Sequence, residues 1–191
     1  MHKKYATLGL SLAFGCAMLM ATATSALAQE VNKGEIPAAQ LESSYTKLDW
    51  GVQIWDVKEA LAMLDSADKA LWVDTRPASF FGKGTVRGAV DLPYDKTGAA
   101  DNTLTADSLS AALAKAGLSK ESAKVLFFCQ GPTCHRSYNA SYVAVKEWGY
   151  APEQIIWFRA GYPDLFQSIK ADAKLKRKAK KYISDEGLKD L

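Results

Sequence analysis

The segment Lys124-Val125-Leu126-Phe127-Phe128 sets the tightest limit on the fold. After its lysine it is apolar throughout, aromatic and branched, with no polar alternation. A strand with one wet face would alternate; an unbroken run of this length is a strand buried on both sides, as in a parallel sheet covered by helices. Ala70-Leu71-Trp72-Val73-Asp74 and Ile155-Ile156-Trp157-Phe158 have the same character, while Val52-Gln53-Ile54-Trp55 and Ala89-Val90-Asp91-Leu92-Pro93 are weaker strands.

Helical patterns separate these runs. Asp56 stands as an N-cap with Glu59 three residues on, followed by Val57, Ala60, Leu61 and Leu64 at helical spacing. Thr105 opens a second helix with Leu109, Ala112, Leu113 and Ala116 on one face, and Gly117 ends it. A third runs from about Ser137 to Trp148, with Ala140, Val143 and Ala144 inward and Gly149 at its end; a last one starts near Pro163. Strands alternating with helices predict an α/β fold: a central, mostly parallel sheet joined by right-handed crossovers.

The ends of the chain differ from this body. His2, Lys3 and Lys4 precede an apolar run from Ala6 to Met20, and small residues lead to Ala26-Leu27-Ala28. This pattern predicts a signal peptide over residues 1–28, cleaved after Ala28, and a periplasmic or secreted mature protein. No later stretch is long and apolar enough to form an integral membrane segment. Residues 29–50 lack a sustained period and read as an N-terminal extension or loosely docked arm. Residues 170–191 carry eight bases against four acids and read as a basic helical tail with a solvated face. The tail has no aromatic interleaving, and the overall charge of +3 is the sum of +2 over residues 1–28, −3 over the body and +4 over the tail, so nucleic acid is not an expected partner.

Once residues 1–28 are removed, Cys129 and Cys134 are the only cysteines, too few for a disulfide-stapled scaffold. Cys129 directly follows the strongest strand, where ligands of open α/β sheets collect. Gln130, Gly131, Pro132, Thr133, Cys134, His135 and Arg136 continue the loop into the third helix. Loop amides and the helix dipole favour an anion there and should hold Cys129 as a thiolate nucleophile. Gly131 and Pro132 bias the loop toward a turn. His135 and Arg136 would add positive charge for an anionic substrate. For Cys134, a bystander and a redox partner are both open.

At these residues the chain resembles the rhodanese (sulfurtransferase) family. Leu71-Trp72-Val73-Asp74-Thr75-Arg76-Pro77 followed by Gly84-Thr85-Val86-Arg87-Gly88-Ala89-Val90-Asp91-Leu92-Pro93 is similar to that family's opening signature, and Trp157-Phe158-Arg159-Ala160-Gly161 with Leu165 to its closing one. The resemblance implies a rhodanese-like domain over residues 51–169, with Cys129 catalytic and Asp74 and Arg76 supporting the loop from beneath. Phe80, Thr85, Ala160 and Leu165 depart from the family pattern, and Arg136, seven positions after Cys129, implies a lengthened loop that contains Cys134.

The resemblance implies a Cys129 persulfide that takes sulfane sulfur from thiosulfate or a related small anionic donor and passes it to cyanide or a thiol. No metal and no organic cofactor is called for. One alternative is redox work by the Cys129/Cys134 pair, with a redox protein as partner or with Cys134 resolving the persulfide. Another is a phosphatase of the dual-specificity type, and a further one a non-catalytic module that binds a partner through the same cleft.

Overall fold

The structure is a computed structural model that describes residues 36–96 and 101–191. The expected signal peptide, and the extension as far as residue 35, lie outside the described residues.

Five strands form one sheet: β1 (Gln53–Trp55), β2 (Ala70–Asp74), β3 (Val90–Asp91), β4 (Lys124–Phe128) and β5 (Ile155–Phe158). Their order is β1-β5-β4-β2-β3, and every pairing is parallel. β4 is therefore the central strand, as its apolar run required. Register aligns Asp74 with Phe128 and Phe128 with Phe158, so β2, β4 and β5 end on one line. The chain that follows each of them meets at a common edge, with the short α3 (Ala78–Phe81) after β2.

Alternate residues of the central strands feed two cores. Val73, Val125, Phe127, Ile155 and Trp157 face one side, packed by α4 (Ala106–Lys115) and α5 (His135–Lys146). Trp72, Leu126, Phe128, Ile156 and Phe158 face the other, packed by α2 (Val57–Asp65) and α6 (Gly161–Ala171). Both faces are dry, which explains the missing alternation in the sequence. Each large side chain buried this way stabilises the fold by about 1.5–3 kcal/mol.

The caps act as read from the sequence. Glu59 accepts a hydrogen bond from the Asp56 amide at 3.1 Å, and Thr105 Oγ1 accepts from the Ser108 amide at 3.1 Å. Several boundaries differ, among them the last long helix, which begins at Gly161 rather than near Pro163. β3 is only two residues long, because beyond Asp91 the chain bonds outward to the end of β2, Leu92 N to Asp74 O and Tyr94 N to Thr75 O. Helix α5 begins at His135, earlier than expected, with Cys134 as its N-cap.

The two flanking segments are more ordered than their patterns implied. α1 (Ala38–Leu41) and the turns after it dock on the α5 side through Leu41, Tyr45 and Leu48. Beyond α6 the tail breaks into α7 (Ala173–Arg177), α8 (Ala179–Tyr182) and α9 (Asp185–Leu188). Its bases Lys174, Lys176, Arg177, Lys178 and Lys180 are exposed, but Ala179, Tyr182 and Ile183 are buried in the second core. Ile183 bridges Val86, and Ser184 N donates to Thr85 O at 2.9 Å.

Candidate active site at the carboxyl edge of the sheet

Cys129 sits at the end of β4, held by its neighbours on both sides. The carbonyl of Phe128 accepts from Thr75 N at 3.0 Å and from Thr75 Oγ1 at 2.8 Å. The carbonyl of Cys129 accepts from Tyr162 N at 3.1 Å. Gly161 makes that approach feasible: its φ is +70°, and a Cβ there would lie 2.5 Å from Cys129 O and 2.7 Å from Gly131 N. A left-handed backbone and a filled space both demand glycine.

The loop folds back on itself. Cys134 N donates to Gly131 O at 3.0 Å, closing a turn with Pro132 and Thr133 at its centre. That turn brings Cys134 beside Cys129 with a Cα separation of 6.1 Å, and the two are joined by a disulfide. The separation is ordinary for such a bond. The cysteines are not equivalent: Cys129 is 1% exposed, whereas Cys134 is partly open to solvent. Among the described residues, no backbone or side-chain acceptor takes the amides of Gln130, Gly131 and Thr133.

The two basic residues of the loop start α5 and turn toward the chain after β3. Arg136 donates to Tyr94 O and to Asp95 Oδ2, each at 3.0 Å, and His135 Nε2 lies 3.8 Å from Asp95 Oδ1. The guanidinium is thus paired with a carboxylate that the sequence reading did not single out. Its partner follows Pro93-Tyr94, and no motif announces it.

Asp74 and Arg76 form a fully buried pair beneath the neighbouring loop. Arg76 grips the carboxylate with Nε at 2.9 Å and Nη2 at 2.6 Å, and Nη2 also donates to Gly84 O at 2.7 Å. Thr85 Oγ1 donates to the same carboxylate at 2.7 Å. The guanidinium lies 4.7 Å from the ring centre of Tyr162, the residue whose amide holds Cys129. The support for the loop is therefore relayed through Tyr162. Burial pushes the Tyr162 phenol up to about 12, so it stays neutral. Burial, and then the charge of Asp74, also push the Asp91 carboxyl up.

On the opposite flank stands Arg159, to which the sequence reading gave no separate role. It pairs with Asp56 through Nε at 3.0 Å, and its Nη1 donates to the carbonyls of Gln40, Glu42 and Tyr45. Its position directly after β5, mirroring Arg76 after β2, was the available signal. Each flank opens into a cleft touching the cysteine loop. One of about 240 Å³ is lined by Arg76, Phe80, Lys83, Gln130, Tyr162 and Phe166. The other, about 420 Å³, includes Leu41, Ser43, Lys58, Pro132, Arg159 and Asp164. Among the described residues, no cluster of His, Cys, Asp and Glu forms a metal site, and no helix is long and apolar enough to cross a membrane.

Comparison with known proteins bears on this edge directly. The sequence model of the rhodanese-like domain matches residues 56–168, a span that contains the Asp74–Arg76 pair, the cysteine loop and Gly161. No curated protein matches the chain. The solved structures similar to it include the BH2092 protein from Bacillus halodurans, 16% identical with a TM-score of 0.45, the match covering 60% of this chain and 71% of that one. A likeness of that degree adds nothing to the assignment, which rests on the family match over more than half of the sequence. The chain belongs to the rhodanese-like domain family.

Proposed function

We propose that this protein is a sulfurtransferase that carries sulfane sulfur as a persulfide on Cys129. The observation that carries this reading is the position of Cys129: the end of the central strand, with loop amides lacking protein acceptors and the N-terminus of a twelve-residue helix close by. Such amides and the helix dipole stabilise thiolate and persulfide anions, and a dipole contribution is about 0.3–1 kcal/mol.

In the disulfide form the Cys129 sulfur is sealed, so the cycle starts with reduction by an external thiol. The freed thiolate attacks the outer sulfur of thiosulfate, or of a related small anionic donor. A Cys129 S–S bond forms, the donor's S–S bond breaks, and sulfite leaves with the electron pair. Cyanide or a thiol then takes the outer sulfur and returns the thiolate. Arg136 and His135, committed to Asp95, act by fixing the loop and α5, while Gln130, Gly131, Pro132 and Thr133 surround the donor with backbone. The proposal places the enzyme outside the cytoplasm, as the sequence of residues 1–28 implies, with small molecules as its substrates.

The test is sulfite release and intact mass after reduction and treatment with thiosulfate. The expected result is one equivalent of sulfite from wild type, none from Cys129→Ser, and in Cys134→Ser the gain of one sulfur atom that cyanide removes. Reduced wild-type protein that releases no sulfite from thiosulfate would end the reading and favour a binding module.

A further inference from the structure

Building on the sulfurtransferase reading, we infer that Cys134 is a resolving thiol: it expels the sulfur carried on Cys129 as hydrosulfide, making the protein a thiosulfate reductase that draws its electrons from a dithiol. Three observations meet here. The Gly131–Cys134 turn delivers the second sulfur to bonding distance of the first, and the bond between them is formed. Cys134 is the N-cap of α5, where unpaired helical amides favour a thiolate. The two sulfurs also differ in access, with Cys129 enclosed and Cys134 partly open.

A persulfide on Cys129 has an inner and an outer sulfur. The disulfide joins Cys134 to the atom that would be the inner one. Attack there forms the Cys129–Cys134 bond and breaks the bond to the outer sulfur, which leaves as hydrosulfide with the electron pair. Attack on the outer atom would merely move the persulfide to Cys134. Access governs which sulfur of a disulfide an incoming thiolate meets, so a dithiol reaches Cys134 first. That attack forms a mixed disulfide on Cys134 and releases Cys129 as the thiolate needed for the next round. The dithiol's second sulfur then frees Cys134. In total, thiosulfate and a dithiol give sulfite, hydrosulfide, a proton and the oxidised dithiol. The bulkier part of the chemistry needs no further oxidant, because thiosulfate itself accepts the electrons.

Anaerobic single turnover decides it. Reduced, desalted protein receives one equivalent of thiosulfate; sulfite, sulfide, free thiols and intact mass are then measured. Wild type should release sulfite and sulfide in equal amounts, lose both thiols and retain no added sulfur. Cys134→Ser should release sulfite, keep the added sulfur, and yield roughly tenfold less sulfide or lower still until an external thiol is supplied. Serine is a favourable N-cap, so α5 keeps its start in that variant. Sulfite release with the sulfur retained on wild type would overturn the resolving role while leaving the transferase reading intact. No sulfite from wild type would overturn both.

Discussion

Arg76 and Arg159 occupy matching posts on either side of the cysteine loop, one after β2 and one after β5, yet they do different work. Arg76 binds a carboxylate two residues away in its own chain segment, with both partners buried. Arg159 binds Asp56, whose carboxylate is 43% exposed, and spends its other donors on three carbonyls of the segment before β1. One cation completes a local knot from which the Gly84 turn and Tyr162 hang. The other fastens a stretch of chain with little internal structure. A guanidinium has enough donors in a fixed fork to do either, which is why lysine would serve in neither place.

This contrast can be broken by experiment. Arg76→Ala leaves Asp74 buried without its counter-charge, and about 3–5 kcal/mol of stability should be lost in denaturant unfolding; a loss below about 1 kcal/mol would mean that the knot is incidental. Arg159→Ala should cost less, about 2–3 kcal/mol, because Asp56 can turn to water. Its distinguishing sign is local: amide hydrogen exchange should accelerate over residues 36–50 and not around Gly84. Equal acceleration on both flanks would dissolve the distinction.

Gly161→Ala tests the space between the posts. A left-handed conformation costs a non-glycine residue about 1–2 kcal/mol, and displacing Cys129 should slow sulfite release by roughly 100-fold. An unchanged rate would show that the loop does not depend on this contact. The smallest effect belongs to Asp91→Asn. With its carboxyl pushed up in the folded protein, Asp91 favours folding only while protonated, and that contribution is lost as pH rises through the folded value. The variant should therefore melt higher than wild type at neutral pH, with the gain vanishing below the ordinary aspartate range. A gain that instead grew toward low pH would reverse the sign.

What the sequence revealed follows the same division. β2, β4 and β5 are legible to the residue because a strand buried on both faces writes itself as an apolar run, and the cap Asp56 because its partner Glu59 is three residues on. Asp74 and Arg76 were legible as a local pair. Arg159 with Asp56 was not, since a contact between residues 103 apart leaves no spacing to read. Asp95 beside Arg136 was hidden for the same reason. The basic tail was half legible: its lysines do face solvent, but Tyr182 and Ile183 complete a core whose other members lie in strands far upstream. The start of α5 moved to His135 because the Gly131–Cys134 bond, not a residue preference, sets where the helix begins.

The pairing of Thr85 with Ser184, 99 positions apart, has a bearing on how the molecule comes to exist. Contacts that distant are among the last to form and slow the approach to the native state. Until they close, the second core lacks its lid of Tyr182 and Ile183, and Tyr162, whose amide holds the Cys129 carbonyl, lacks its contact with Gly187. Folding speed and the cysteine loop are thereby coupled: whatever hastens the arrival of residues 182–187 also brings forward the moment at which Tyr162 is braced against that loop.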